Sequence, residues 1–87
     1  MRDYDKLFES GNRAQLEKLE LHKLKGCWKK MTVPKLISLL IDEAVELSEE
    51  YYEKKVLNLE NIRKEAADVA NYAHMVIQKC DEEMKKL

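Results

Sequence analysis

The stretch TVPKLISLLIDEAVELSEEY, residues 32–51, decides the fold. Thr32 offers a side-chain oxygen to cap a helix, and Pro34 falls in the first turn, where a missing N–H leaves nothing unsatisfied. Leu36, Leu40, Leu47 and Tyr51 then recur at helical spacing, joined by Val33, Ile37 and Ala44. The pattern predicts an amphipathic helix from just after Thr32 to about Lys55. Leu39, Ile41 and Val45 fall outside that stripe, giving more apolar surface than one partner helix can cover.

The chain on either side reads as helix too. Downstream, Asn58 is a plausible N-cap, with Leu57 before it and Ile62 after it placed for a hydrophobic staple. Ile62, Ala66, Val69, Ala73, Val76 and Cys80 form the expected stripe, and Lys85 and Lys86 suit the negative end of the helix dipole. Upstream, a helix is expected to begin near Asn12, with Gln15 completing a capping box. Leu16, Leu19 and Leu24 mark its apolar side, and Gly26, preceded by Lys23 and Lys25, is its expected stop. Residues 1–11, MRDYDKLFESG, read as a short arm of a turn or two ending at Ser10-Gly11. The fold class is therefore all-α, with three main helices in a single domain over residues 1–87. A chain of 87 residues removes only about 60–65% of its unfolded surface from water, so oligomerisation is expected to complete the bundle.

Composition narrows the function classes. Sixteen basic residues against 17 acidic ones leave a net charge of -1, with no overall electrostatic reason to bind nucleic acid or an anionic membrane. Cys27 and Cys80 fit no disulfide framework, which favours a reducing compartment. No signal-peptide pattern follows Met1 and no apolar run approaches the roughly 20 residues of a membrane span, so the expected location is cytoplasmic. His22, His74, Cys27 and Cys80 lack the close ligand pairs of a zinc site. Neither histidine has a glutamate three residues before it, as a ferritin-like di-iron site requires.

Two acidic pairs carry the chemistry: Glu43 with Glu46, and Glu65 with Asp68. Residues three apart share a helix face, so each pair can converge on one ion. The first acid of each pair sits roughly 60° from its helix's apolar stripe and the second roughly 120° from it, on the same side. Packing the two stripes together then gathers four carboxylates at one rim of the core. Oxygen ligands in that number suit Mg²⁺, with Mn²⁺ as a substitute, better than zinc. The alternative reading is a solvated acidic face, which Glu49, Glu50 and Glu53 extend.

These residues also carry a resemblance. From Gln15 to Cys80 the chain resembles the MazG-like branch of the all-α nucleoside triphosphate pyrophosphatase superfamily, marked by E-E-x-x-E on one helix and E-x-x-D on the next. Here the segments are Asp42-Glu43-Ala44-Val45-Glu46 and Glu65-Ala66-Ala67-Asp68, with 18 residues between them. Lys25-Gly26-Cys27-Trp28 resembles the K-G-x-W run of small phage-type members, and the stretch Glu65 to Asn71 resembles their E-x-x-D-x-x-N segment. Asp42 departs from the pattern by replacing the first glutamate. The extra helices that carry phosphate-binding cations in larger members have no counterpart here.

The resemblance implies Mg²⁺-dependent hydrolysis of a nucleoside triphosphate to the monophosphate and pyrophosphate. Glu43, Glu46, Glu65 and Asp68 would hold the metal, and Glu46 is the candidate general base. Among the remaining residues, Lys25 reads either as a phosphate contact or as a cation ending a helix. Trp28 reads either as a stacking surface for a base or as a core plug. Asn71 reads as a sugar or phosphate ligand or as an exposed helix residue. The rival functions are a phosphoribosyl-ATP pyrophosphohydrolase and a catalytically silent helical adaptor. A homodimer or dimer of dimers is expected, in which basic residues of one copy face the acids of the other.

Overall fold

A computed structural model of the chain describes residues 2–22, 27–54 and 57–87. They form helix α1 (Asp3–His22), a short 3-10 turn (Cys27–Lys30), helix α2 (Val33–Tyr52) and helix α3 (Leu59–Lys85). The fold is all-α. The expected stop of α1 at Gly26, with Lys23, Leu24 and Lys25, lies outside the described residues; α2 ends at Tyr52, capped by Glu53, short of the expected end near Lys55. No helix among the described residues is long and apolar enough to cross a membrane.

The caps of α2 and α3 follow from their sequence. The backbone N–H of Lys35 donates to Thr32 Oγ1 at 3.3 Å, and that of Asn61 donates to Asn58 Oδ1 at 3.1 Å. Each cap satisfies a donor that the first helical turn would otherwise leave free. The amino-terminal arm is different from expectation, because α1 runs unbroken through Ser10-Gly11. One glycine costs a helix interior about 1 kcal/mol relative to alanine, which good helix formers on both sides can offset. Asn12 and Gln15 are consequently interior residues, not a capping box.

Helix α3, with 27 residues, is the central element, and both α1 and α2 pack against it. The molecule measures 47 × 35 × 21 Å, so its shortest dimension is about two helix diameters. A slab that thin leaves each helix with an open side. Among the described residues, Leu36 is the largest fully buried side chain.

The inward face of α2 keeps the stripe leucines but is centred to one side of the expected stripe. Leu36 and Glu50 are buried, and Leu40, Glu43 and Leu47 are half-buried along the same 4-3-4-3 seam. Leu39 joins this face, while Ile37, Ala44 and Tyr51, expected in the stripe, are exposed. Two glutamates thus lie on the packing seam itself. Glu50 is neutralised there by Lys54, whose ammonium approaches to 2.8 Å and holds its carboxyl below the usual range.

On α3 the buried residues are Ala67, Asn71 and Met75, about 180° round the helix from the Ile62-Val69-Val76 line. The expected stripe remains half-buried, with Ala66 exposed. The buried line is where α1 docks, as a hydrogen bond from Asn71 to the Gln15 carbonyl marks. Ala14 and Gln15 of α1 are buried at this contact, and the small Ala14 and Ala67 permit close approach. A contact built from alanines and amides has no hydrophobic stripe, which is why periodicity missed it.

Candidate metal centre

Between the buried line of α3 and its half-buried stripe runs a strip formed by Glu65, Asp68 and Tyr72. This strip faces the gap between α1 and α2. With Lys18 and Leu19 of α1 and Glu43 and Glu46 of α2, it encloses a cavity of about 230 Å³. All four acids singled out from spacing therefore line one cavity. The seam position of Glu43 places it deeper than its expected flank position.

Glu43, Glu46 and Glu65 each present a carboxylate oxygen such that the three oxygens lie within 4.8 Å of one another. Neighbouring ligands of an octahedral Mg²⁺ stand about 3 Å apart and opposite ones about 4.2 Å, so the three carboxylates would draw inward through side-chain rotation to close on one ion. The Oε2 atoms of Glu43 and Glu65 are buried and have no hydrogen-bond partner. A buried unpartnered carboxylate oxygen costs on the order of 1–3 kcal/mol or more, a cost that a cation removes. Hard oxygen donors with lone pairs free and converging fit Mg²⁺ or Mn²⁺.

Electrostatics point the same way. Burial raises the pKa of Glu43 to about 7, helped by the neighbouring Glu46 carboxyl and by the negative charge of Asp68 and Glu65. Glu65 is also raised, first by burial and then by Asp68 and Glu46, with Lys18 opposing. The Tyr72 phenol is raised by burial and by the same acids. The cavity thus holds negative charge in excess of its own protein cations. Glu46 is the most exposed of the three clustered acids.

Asp68 is placed differently from the other three. It faces the same cavity, but its Oδ2 is 3.1 Å from Lys18 Nζ and outside the clustered set of oxygens. Asn71 is a buried residue, not an exposed one. Its Nδ2 donates to the Gln15 carbonyl at 3.1 Å, and its side chain lines the carboxylate cavity.

Trp28 lies in the 3-10 turn and is half-buried. It borders a second, more apolar cavity of about 350 Å³, whose polar lining includes Asn12, Gln15, His74 and Gln78. Gln15 Nε2 donates to His74 Nδ1 at 2.8 Å within it. The turn is tied to α3 by Lys79 Nζ, which donates to the Lys29 carbonyl at 2.9 Å. Leu19, Asn71 and Met75 are common to the walls of both cavities, so the two adjoin. Lys25 lies outside the described residues.

Sequence reasoning overlooked Lys18 and Tyr72 at the carboxylate cavity. Lys18 stands four residues after Ala14 and three after Gln15, on the face that docks against α3. The available signal was a lysine on a buried face with acids opposite. No protein-family model matches the chain, and neither a curated protein nor a solved structure was found to match it.

Proposed function

We propose that this protein is a divalent-cation-dependent nucleoside triphosphate pyrophosphohydrolase, as its resemblance to the MazG-like enzymes implies. The observation that carries the reading is the meeting of Glu43, Glu46 and Glu65 within 4.8 Å, with two buried carboxylate oxygens left unpartnered. A triphosphate carries several negative charges, and an acid-lined cavity would repel it without a cation between them. Glu43, Glu46, Glu65 and Asp68 would hold Mg²⁺ or Mn²⁺, which supplies charge neutralisation at the phosphates and lowers the pKa of an attacking water.

The chain's own residues divide the remaining tasks. Glu46, the exposed acid of the three clustered ones, would accept the proton of the attacking water. The adjoining cavity takes the nucleoside, with Trp28 offering a stacking face and the surrounding amides offering donors and acceptors to a base edge. Asn71 lines both cavities and would contact the sugar. Lys25, in the Lys25-Gly26-Cys27-Trp28 run of the sequence, would contact phosphate.

The active unit in this reading is a homodimer or a dimer of dimers. Ile37, Ile41 and Val45 of α2 and Tyr4, Leu7 and Phe8 of α1 are exposed, which suits a second copy. The deciding experiment incubates the protein with Mg²⁺ or Mn²⁺ and each of the eight common nucleoside triphosphates. Phosphoribosyl-ATP is included, and pyrophosphate and orthophosphate are detected separately. Release of pyrophosphate from at least one ordinary triphosphate is the expected result. Release of neither product from any substrate, or of orthophosphate alone, rejects the reading.

A further inference from the structure

The four acids of the cavity come from α2 and α3, but its cation comes from α1. Lys18 is the one lysine or arginine among the described residues lining that cavity. Its side chain is 11% exposed, that of Asp68 is 19% exposed, and Nζ stands 3.1 Å from Oδ2. A largely desolvated ion pair of this kind is a poor source of stability, because the cost of removing both charges from water offsets their attraction. Its placement is more informative than its strength. The ammonium occupies the flank of the one acid that the other three do not join.

A divalent ion drawn to Glu43, Glu46 and Glu65 competes with that ammonium for Asp68. The lysine has somewhere to go. It also lines a separate cavity of about 280 Å³ beside Arg63 and Lys64, so space exists on its other side. Arg63 and Lys64 are themselves engaged by Glu17 at 2.9 Å and Glu60 at 3.4 Å. Lys18, once released from Asp68, is then the nearest uncommitted cation to the carboxylate cavity among the described residues. Its four-carbon stem and three donors suit a moving anionic partner.

We propose that Lys18 is an exchangeable counterion: it neutralises Asp68 until a divalent cation takes that carboxylate, and then turns its ammonium to the phosphate oxygens of the substrate. This rests on the pyrophosphohydrolase reading for its substrate, and it assigns to α1 a phosphate contact that the acidic helices do not provide.

The test uses full-length Lys18→Met, which keeps the buried stem and removes the charge, with Lys18→Arg beside it. Circular dichroism confirms that each variant is folded. Calorimetric titration is performed with Mn²⁺ alone, and then with inorganic triphosphate at saturating Mn²⁺, a probe without a base. Removing a competing cation is expected to tighten Mn²⁺ binding by Lys18→Met several-fold, while triphosphate binding falls about tenfold, the loss of one charge-assisted hydrogen bond. Lys18→Arg should recover most of the triphosphate binding. Opposite shifts of the two affinities are a signature that a merely structural ion pair does not produce. Unchanged or weaker Mn²⁺ binding, or unchanged triphosphate binding, in folded Lys18→Met overturns the proposal. If the unsubstituted protein binds no Mn²⁺, the pyrophosphohydrolase reading falls and the role of Lys18 falls with it. Should Lys18→Met fail to fold, Lys18→Gln carries the same expectations, and a folding failure in both overturns the proposal in favour of a structural pair.

Discussion

The side-chain amide of Asn71 on α3 donates to the backbone carbonyl of Gln15 on α1, 3.1 Å away and buried. This bond clamps the two helices beside the wall shared by both cavities. It also fixes Lys18, one turn further along α1, opposite Asp68. Asn71 therefore has a structural duty whatever it contributes to a ligand. Replacing it with leucine leaves the carbonyl unpaired by the side chain and crowds a contact made for alanines. Asn71→Leu is expected to lose about 1–3 kcal/mol of stability, read as a lower midpoint in urea unfolding. An unchanged midpoint would show that the clamp contributes nothing.

The acid cluster makes the sharpest functional prediction. Glu43→Ala, Glu46→Ala, Glu65→Ala and Asp68→Ala should each reduce pyrophosphate release by about a hundredfold or more, since each removes several kcal/mol of charge stabilisation. Helicity by circular dichroism should stay near that of the unsubstituted protein. Glu43→Ala and Glu65→Ala are expected to leave the metal-free fold as stable or more so, because each removes a buried unpartnered oxygen. Full activity in Glu43→Ala or Asp68→Ala contradicts the assignment.

The raised pKa of Glu43 fixes a pH dependence. Its folded value of about 7 lies above its ordinary 4.5, so the folded state holds this proton more tightly than the unfolded chain. The resulting stability is fully present below about 4.5 and is lost as pH rises through about 7. Without divalent cations, the melting temperature contributed by this site should fall from pH 5 to pH 8, and Glu43→Gln should flatten that fall. Added Mg²⁺ should reverse the trend, because proton and cation compete for the same carboxylate. Differential scanning fluorimetry across this range, with and without Mg²⁺, checks both signs.

Trp28 reports on the apolar cavity. If a base stacks there, its emission should change on addition of an α,β-imido nucleoside triphosphate with Mg²⁺, and Trp28→Ala should weaken binding by about 1–3 kcal/mol. No change at saturating ligand, with binding shown independently, assigns the ring to packing alone.

Assembly is tested on the open side of α2. Ile41 is 57% exposed and Val45 49% exposed, one helical turn apart on the face away from α3. Light scattering over a concentration series is expected to give two or four times the mass of one chain. Ile41→Lys with Val45→Lys should shift the protein toward monomer and lower its activity. A stable, fully active monomer of the unsubstituted protein would refute both the assembly and the sharing of a site.

Helix identity was legible from local rules. Thr32 and Asn58 are caps because a short side-chain oxygen reaches a backbone N–H three residues on, and no distant residue is needed for that. The spacing that puts Glu43 beside Glu46, and Glu65 beside Asp68, is likewise a property of one helix at a time. Glycine at position 11 misled because its local cost is small against the helix formers that flank it.

Which face of each helix turned inward was decided in three dimensions. Leu36, Leu40 and Leu47 of α2 do turn inward, but the seam they share also carries Glu43 and Glu50 and leaves Ile37 outside. The α1–α3 contact rests on Ala14, Ala67 and an amide-to-carbonyl bond, none of which raises a hydrophobic period. Lys18 meets Asp68 across 50 residues of chain, so their pairing exists only once α1 docks. Local propensity reads along the chain. The burial of a glutamate, the rise of its pKa and the company of a lysine depend on which surfaces the packing brings together.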